Sequence, residues 1–330
     1  MASQDPTVSA AQPPIVASPR DDRPWWRRAL PLLFAVALVG LLLVRLDLHA
    51  FVQHVRSVSV PGFAAFCAVF TVALVAADAL ATSFVYQRTV CPITFREFFL
   101  IRGASYLPSL LSHHVGQAWL TWYLSRRYQA PLWRVAGSTL INYATTFASL
   151  FLFGTVSLLF EHNAAPWLTP VLAVVAVAGL AYLLALRIAP PSLARRQLLA
   201  PLFDIGIRGH LEAVALRIPH MLVLFAGSWI PFAFFGVHIP PGAAFAYVPV
   251  LMVVAALPIT PQGVGTRDWF ALHCFSQYGP GSPADQQAAV VAATLTFAVG
   301  ITLVQAVFSL ALMPRALRLL HAARTDRSSP

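Results

Sequence analysis

The stretch from Leu257 to Trp269, LPITPQGVGTRDW, gathers residue types suited to holding an anion. Pro258 and Pro261 lack amide donors, and Gly263 and Gly265 permit backbone geometry closed to other residues; Thr266, Arg267 and Asp268 follow at once. Set between apolar segments, this composition predicts a helix, a tight break, and a new helix whose first turn carries polar groups. Amides left open at such a start can receive an anion, and Arg267 can pair with a phosphate. GVGTRD is not a nucleotide loop, because it lacks the G-x-x-x-x-G-K-[ST] spacing and a βαβ context. The plainer alternative is a surface turn in which Arg267 and Asp268 pair with each other or lie at headgroup level.

A second polar group interrupts an apolar run at Tyr106, Pro108, Ser109, Ser112, His113, His114, Gly116 and Gln117. Adjacent residues on a helix point about 100° apart, so His113 and His114 chelate one metal poorly, and no Asp, Glu or Cys stands near enough in sequence to complete a site. A polar lining for a headgroup cavity fits better than zinc. Asp78 falls near the middle of another apolar run. A charge in hydrocarbon is costly unless paired or hydrated, which makes Asp78 a coupling site for protons or cations, the buried partner of an Arg, or a hydrogen-bonding group inside the bundle. Arg217, one turn after Glu212 and followed by Pro219, either snorkels to the interface or meets a lipid phosphate, and Arg102 before Gly103 has the same two readings. Asn142, Tyr143 and Gln305 can supply hydrogen bonds between helices. Cys67, Cys91 and Cys274 show no CxxC pairing and read as single apolar side chains.

The elements that must carry these residues are set by a lipid solvent. Of 330 residues, 58% are hydrophobic and 10% charged, with a mean hydropathy of +0.71, whereas soluble domains are roughly one quarter charged. Such a chain has room for several crossings but not also for a large soluble catalytic domain. The net charge of +10 comes with 22 basic residues, all Arg. They lie in short clusters between apolar segments rather than along one stripe, which points to positive-inside loops and anionic headgroups rather than nucleic acid.

Apolar segments run approximately over 30–46, 61–87, 98–123, 136–160, 167–189, 211–236, 243–260 and 288–313, with a shorter one at 266–275. Arg20 to Arg28 put the N-terminus inside, and the first apolar run reads as a retained helix rather than a signal peptide. Arg88, Arg96 and Arg102 then precede the segment 98–123, and Arg126, Arg127 and Arg134 follow it, so a full crossing there would strand one cluster outside. A re-entrant hairpin near 98–123 removes the conflict, and Pro261, Gly263 and Gly265 suggest a second near 243–275, entered from the opposite face. The expected fold is therefore an all-α polytopic membrane protein with about six transmembrane helices, two oppositely oriented re-entrant helical hairpins and the outline of an inverted repeat. Residues 1–28 read as a disordered cytoplasmic tail, 29–315 as a single transmembrane domain and 316–330 as a short cytoplasmic tail.

At LPITPQGVGTRDW the chain resembles the membrane region of the lysylphosphatidylglycerol synthase/flippase family, also called the multiple peptide resistance factor family. Pro261, Gly263, Val264, Gly265, Thr266 and Arg267 match its pattern, while Gln262 replaces a Gly and Asp268 stands where Glu is usual. The region Tyr106 to Gln117 matches the family's first broken segment more loosely, with Gln117 in place of an acidic residue, and the likeness spans about residues 28–320. The resemblance implies a stand-alone relative without the aminoacyl-transferase domain. The expected function is a lipid flippase in the bacterial inner membrane, with both termini cytoplasmic, moving a phospholipid, an aminoacylated phospholipid or a polyprenyl-phosphate-linked lipid. Arg267, Thr266, Asp268, Gly263, Gly265, Arg217, His113, His114 and Gln117 are the substrate-binding candidates, and Asp78 is the coupling candidate. No catalytic residue, metal or cofactor is expected. A lipid-modifying enzyme and further copies of the chain are the candidate protein partners. The rival expectation is a membrane enzyme or accessory subunit acting on lipid-linked substrates, with Asp268, Glu212 or Asp78 as base and His113 or His114 as acid or base.

Overall fold

A computed structural model of the chain describes Gly40 and residues 47–160, 166–256 and 265–325. The described residues are helical or loop, with no strand. In chain order the helices are α1 (Leu48–Ser57), α2 (Val60–Thr89), α3 (Phe95–Ser109), α4 (His113–Tyr128), α5 (Leu132–Phe160), α6 (Leu168–Ile188), α7 (Pro191–Ala194), α8 (Ala200–Asp204), α9 (Gly206–Ala233), α10 (Pro241–Ala256), α11 (Thr266–Phe275) and α12 (Pro283–Thr325). Among them α2, α5, α6, α9 and α12 are long and apolar enough to cross a membrane. The molecule is thus the all-α multi-pass protein that its composition implies. The apolar run 30–46 lies outside the described residues, as do Pro258, Pro261, Gln262, Gly263 and Val264.

Local sequence explains most boundaries. Pro61 stands in the first turn of α2, where a missing amide costs nothing. Thr94 caps α3 by accepting the Glu97 amide, and Ser112 caps α4 by accepting the His114 amide. The segment 98–123 is therefore two helices separated at Leu110 to Ser112. The chain's last helix outruns its apolar part: α12 continues through Pro314 to Thr325. The Tyr123 hydroxyl donates to the Ala316 carbonyl at 2.6 Å, and Ala316 and Leu320 are buried in the core around α3 and α4. In α6, by contrast, Leu168 alone is buried. A helix apolar on every side and turned outward has hydrocarbon as its solvent.

The buried apolar side chains form two main clusters. One joins the first half of α2 to α9, α10, α11 and the first part of α12, and the other joins the second half of α2 to α3, α4 and the end of α12. Each cluster contains one helix-break-helix pair. In the first pair, α3 and α4 pack together, and an ion pair at 3.3 Å joins Glu97 at the start of α3 to Arg127 at the end of α4. In the second, the His238 amide before α10 donates to the Tyr278 carbonyl after α11 at 3.1 Å. Both pairs return to the end from which they set out. These bases lie at opposite ends of α2. Gln87 donates to the Ile93 carbonyl beside the first base at 2.5 Å, while Phe63 meets Phe235 beside the second, with ring centroids 5.8 Å apart.

Close approach within the first pair rests on Gly116. A Cβ there would stand 1.7 Å from Ser109 Oγ and 2.8 Å from Ser109 Cβ. Pro108 has no amide, so the Ala104 carbonyl one turn earlier loses its helical donor. Ser309 of α12 replaces it, donating to the Ala104 carbonyl at 2.7 Å while accepting the Leu107 amide at 2.7 Å. A single hydroxyl thus satisfies groups that a broken helix would leave bare in an apolar interior.

Candidate functional site

The second half of α2 turns Asp78 inward, and two arginines from other helices converge on it. Arg102 of α3 donates through Nε to Asp78 Oδ2 at 2.5 Å, and Arg217 of α9 donates through Nη1 to Asp78 Oδ1. Thr82, one turn along α2, donates to Asp78 Oδ1 at 3.1 Å. Arg217 Nη2 also reaches Thr82 Oγ1 at 3.1 Å and Asn142 Oδ1 of α5 at 3.2 Å. Arg102 Nη1 donates to Ser105 Oγ at 3.2 Å, and its guanidinium lies 5.3 Å from the centre of the Tyr106 ring. Four helices, α2, α3, α5 and α9, therefore meet in one buried polar cluster. Arg217 is 2% exposed.

The charges in this cluster do not cancel. Two guanidiniums that remain protonated face one carboxylate, leaving an excess of one positive charge. Arg217 Nε and, one turn further along α9, His220 Nδ1 are buried without a hydrogen-bond partner. The arrangement can hold an oxyanion against planar donors, since Arg is suited to carboxylate and phosphate geometry.

Arg217 and Asp78, two of the residues singled out in the sequence, are brought together, with Arg102 as the third member. Arg217 does not pair with Glu212, which is engaged by Arg208 at 2.9 Å and Arg88 at 3.7 Å. Nor does Arg217 share a site with Arg267. Arg267 lines a different, small cleft with Ser228, Phe232, Leu251, Thr294 and Phe297. That cleft touches α9 at Gly227, about 15 Å along the helix axis from Arg217.

At the start of α11, Arg267 Nη2 donates to Asp268 Oδ1 and to the Thr294 carbonyl, both at 3.3 Å, and its Nε is buried without a partner. Asp268 is fully buried and accepts the Gly265 amide at 2.8 Å, closing the helix start on itself. Gly265 has φ +89°, which an L side chain rarely adopts. Thr266 opens the same turn. Gly263 lies outside the described residues. His113 and His114 open α4 with ring centroids 6.1 Å apart, and His113 meets the Tyr143 ring at 6.1 Å. Gln117 sits half-buried one turn later. Among the described residues no three His, Cys, Asp or Glu gather as a metal site, and the three cysteines are buried and unbonded.

His220, Thr82 and Ser105 are not singled out in the sequence. The available signal was helical spacing: Thr82 stands four residues after Asp78, and His220 three after Arg217.

Fold and site together define a polytopic α-helical membrane protein with an internal cationic cluster. The family model for the lysylphosphatidylglycerol synthase TM region matches residues 28–307, and the chain belongs to that family. The match is to the membrane region and gives the chain a lipid-related function. No curated protein matches the chain, and no solved structure matches it.

Proposed function

We propose that the protein moves a lipid with a phosphate headgroup between the leaflets of the bacterial inner membrane. The observation that carries this reading is the excess positive charge where Arg102 and Arg217 share Asp78. A charge in hydrocarbon is expensive, so a surplus one held among four helices calls for an anionic visitor. Asp78 lies eleven residues before the end of α2 and Arg217 eleven after the start of α9. That is about 16 Å by helical rise, or about half of a hydrocarbon core roughly 30 Å thick. The cluster is then at the depth where a headgroup meets its highest barrier.

The two helix-break-helix pairs act as re-entrant hairpins entered from opposite faces. Their bases at opposite ends of α2 and their short helices support this, since α3, α4, α10 and α11 have 15, 16, 16 and 10 residues, fewer than the roughly 20 a crossing takes. Opposed broken segments around a midplane site are the arrangement of many alternating-access proteins. With the Arg-rich ends inside, both termini are cytoplasmic, residues 29–315 form the transmembrane domain, and Arg267 with Ser228 and Thr294 offers a second contact for a headgroup toward the outer face.

Leaflet exchange of fluorescent phospholipids and of a polyprenyl-phosphate lipid in proteoliposomes tests the reading. Exchange should occur with the wild type and fall by about tenfold or more in Arg217→Gln, a loss of some 1.4 kcal/mol of headgroup binding. Absence of exchange for every lipid, with folded protein and an imposed proton gradient, would overturn it in favour of an enzyme or an accessory subunit.

A further inference from the structure

The two oxygens of Asp78 are divided between two cations. Oδ2 receives Arg102 Nε at 2.5 Å, and Oδ1 receives Arg217 Nη1 together with the Thr82 hydroxyl. A carboxylate is a monoanion with two equivalent oxygens in a plane, and so is the unesterified part of a phosphodiester. Resting on the transport reading above, we propose that Asp78 is a built-in stand-in for the substrate's phosphodiester and sets the charge that the site accepts. Binding shares Arg102 and Arg217 between the two monoanions, with Asp78 retained in the cluster through Thr82.

Charge decides which esters fit. The cluster holds two guanidiniums and one carboxylate, so one added negative charge makes it neutral. A phosphodiester brings one. A phosphomonoester brings about −1.5 to −2 near neutral pH, which overshoots and leaves an uncompensated anion in a low-dielectric interior. Arg217 Nε and His220 Nδ1, both buried and without a partner, are polar atoms left open for further contacts. Asn142, which accepts from Arg217 at 3.2 Å, is neutral and adds no charge. The site therefore selects phosphodiester lipids over phosphomonoester lipids, and Asp78 is a specificity-determining residue.

The test measures binding of fluorescent phosphatidylglycerol, a diester, and phosphatidic acid, a monoester, to the full chain in nanodiscs of neutral lipid, beside leaflet exchange of both. The wild type should favour the diester by about tenfold or more, as expected when an uncompensated charge is buried. Asp78→Asn removes the internal anion and should abolish or reverse that preference, while Asp78→Glu keeps it. Asn142→Asp retains a partner for Arg217, neutralises the excess charge, and should weaken diester binding by about tenfold or more. It serves as the deciding variant if Asp78→Asn does not fold. The proposal is overturned by a wild type that binds the two lipids equally or favours the monoester. It is equally overturned by a folded Asp78→Asn with unchanged preference, or by Asn142→Asp with unchanged diester binding. Selective binding without exchange would instead overturn transport and leave the selectivity standing.

Discussion

The two helix-break-helix pairs handle polarity differently. In α3 and α4 the polar groups are answered from elsewhere: Ser309 of α12 serves the backbone freed by Pro108, and Arg102 finds its anion on α2. In α11 they are answered mainly from within one turn, since Asp268 takes the Gly265 amide and also accepts from its neighbour Arg267, which reaches beyond the turn to the Thr294 carbonyl. Long-range pairing fixes four helices around one charge cluster. Local pairing fixes a helix start and leaves Arg267 facing a mostly apolar cleft. The first arrangement ties distant helices to one ionic site, and the second is confined to a single helix start and one neighbouring carbonyl.

Removing the shared anion should therefore produce the largest effect in the molecule. Asp78→Ala leaves two guanidiniums facing each other in the interior, and loss of one member of a buried ion pair costs about 3–5 kcal/mol. Thermal unfolding in detergent should show a marked loss, well beyond that of any substitution at Arg267. Equal losses at the two sites would remove the distinction between long-range and local pairing.

Next comes the contact that closes the first pair. Gly116→Ala sets a methyl 2.8 Å from Ser109 Cβ and 3.1 Å from the Ser105 carbonyl, and overpacking of this kind costs about 1–3 kcal/mol. Ser109→Gly in the same chain removes the side chain in the way and should recover part of the loss, a coupling visible in a double-mutant cycle of melting temperatures. Strict additivity would mean that α3 and α4 do not close on Gly116.

How much of this was legible in the sequence follows the same division. Composition and Arg clusters revealed the lipid solvent and the long helices, because each depends on local hydropathy. Pro108 with Gly116, and the Gly265 to Asp268 turn, revealed the breaks for the same reason. The alliance of Asp78 with Arg102 and Arg217 was open only as one alternative for each residue, since these positions are 24 and 139 residues apart and no local pattern links them. Arg217 and Arg267 stand together among the substrate-binding candidates of the sequence but occupy separate places in the fold, because α9 carries Arg217 to one cluster and lines the other cleft with Gly227 and Ser228. Ser309 was illegible for a related reason: a lone Ser in an apolar helix gives no sign of the carbonyl it serves.

The smallest expected effects test the second pair, and they separate two residues that the sequence presents as equals. Arg267 and Asp268 look like an ion pair, yet their contact is 3.3 Å long between neighbouring residues, with Arg267 partly exposed. A single hydrogen bond this long is worth about 1 kcal/mol at most, and Asp268 keeps the Gly265 amide without it, so Arg267→Ala should lower the melting temperature only slightly. Asp268 also caps α11 at a glycine with φ +89°, and loss of a cap costs about 0.5–2 kcal/mol. Asp268→Ala should therefore destabilise more than Arg267→Ala, and Asp268→Asn, which keeps an acceptor for the Gly265 amide, should recover most of the difference. If Arg267→Ala proved as damaging as Asp268→Ala, the ion pair rather than the cap would hold α11, and the second pair would be built on the same ionic principle as the first.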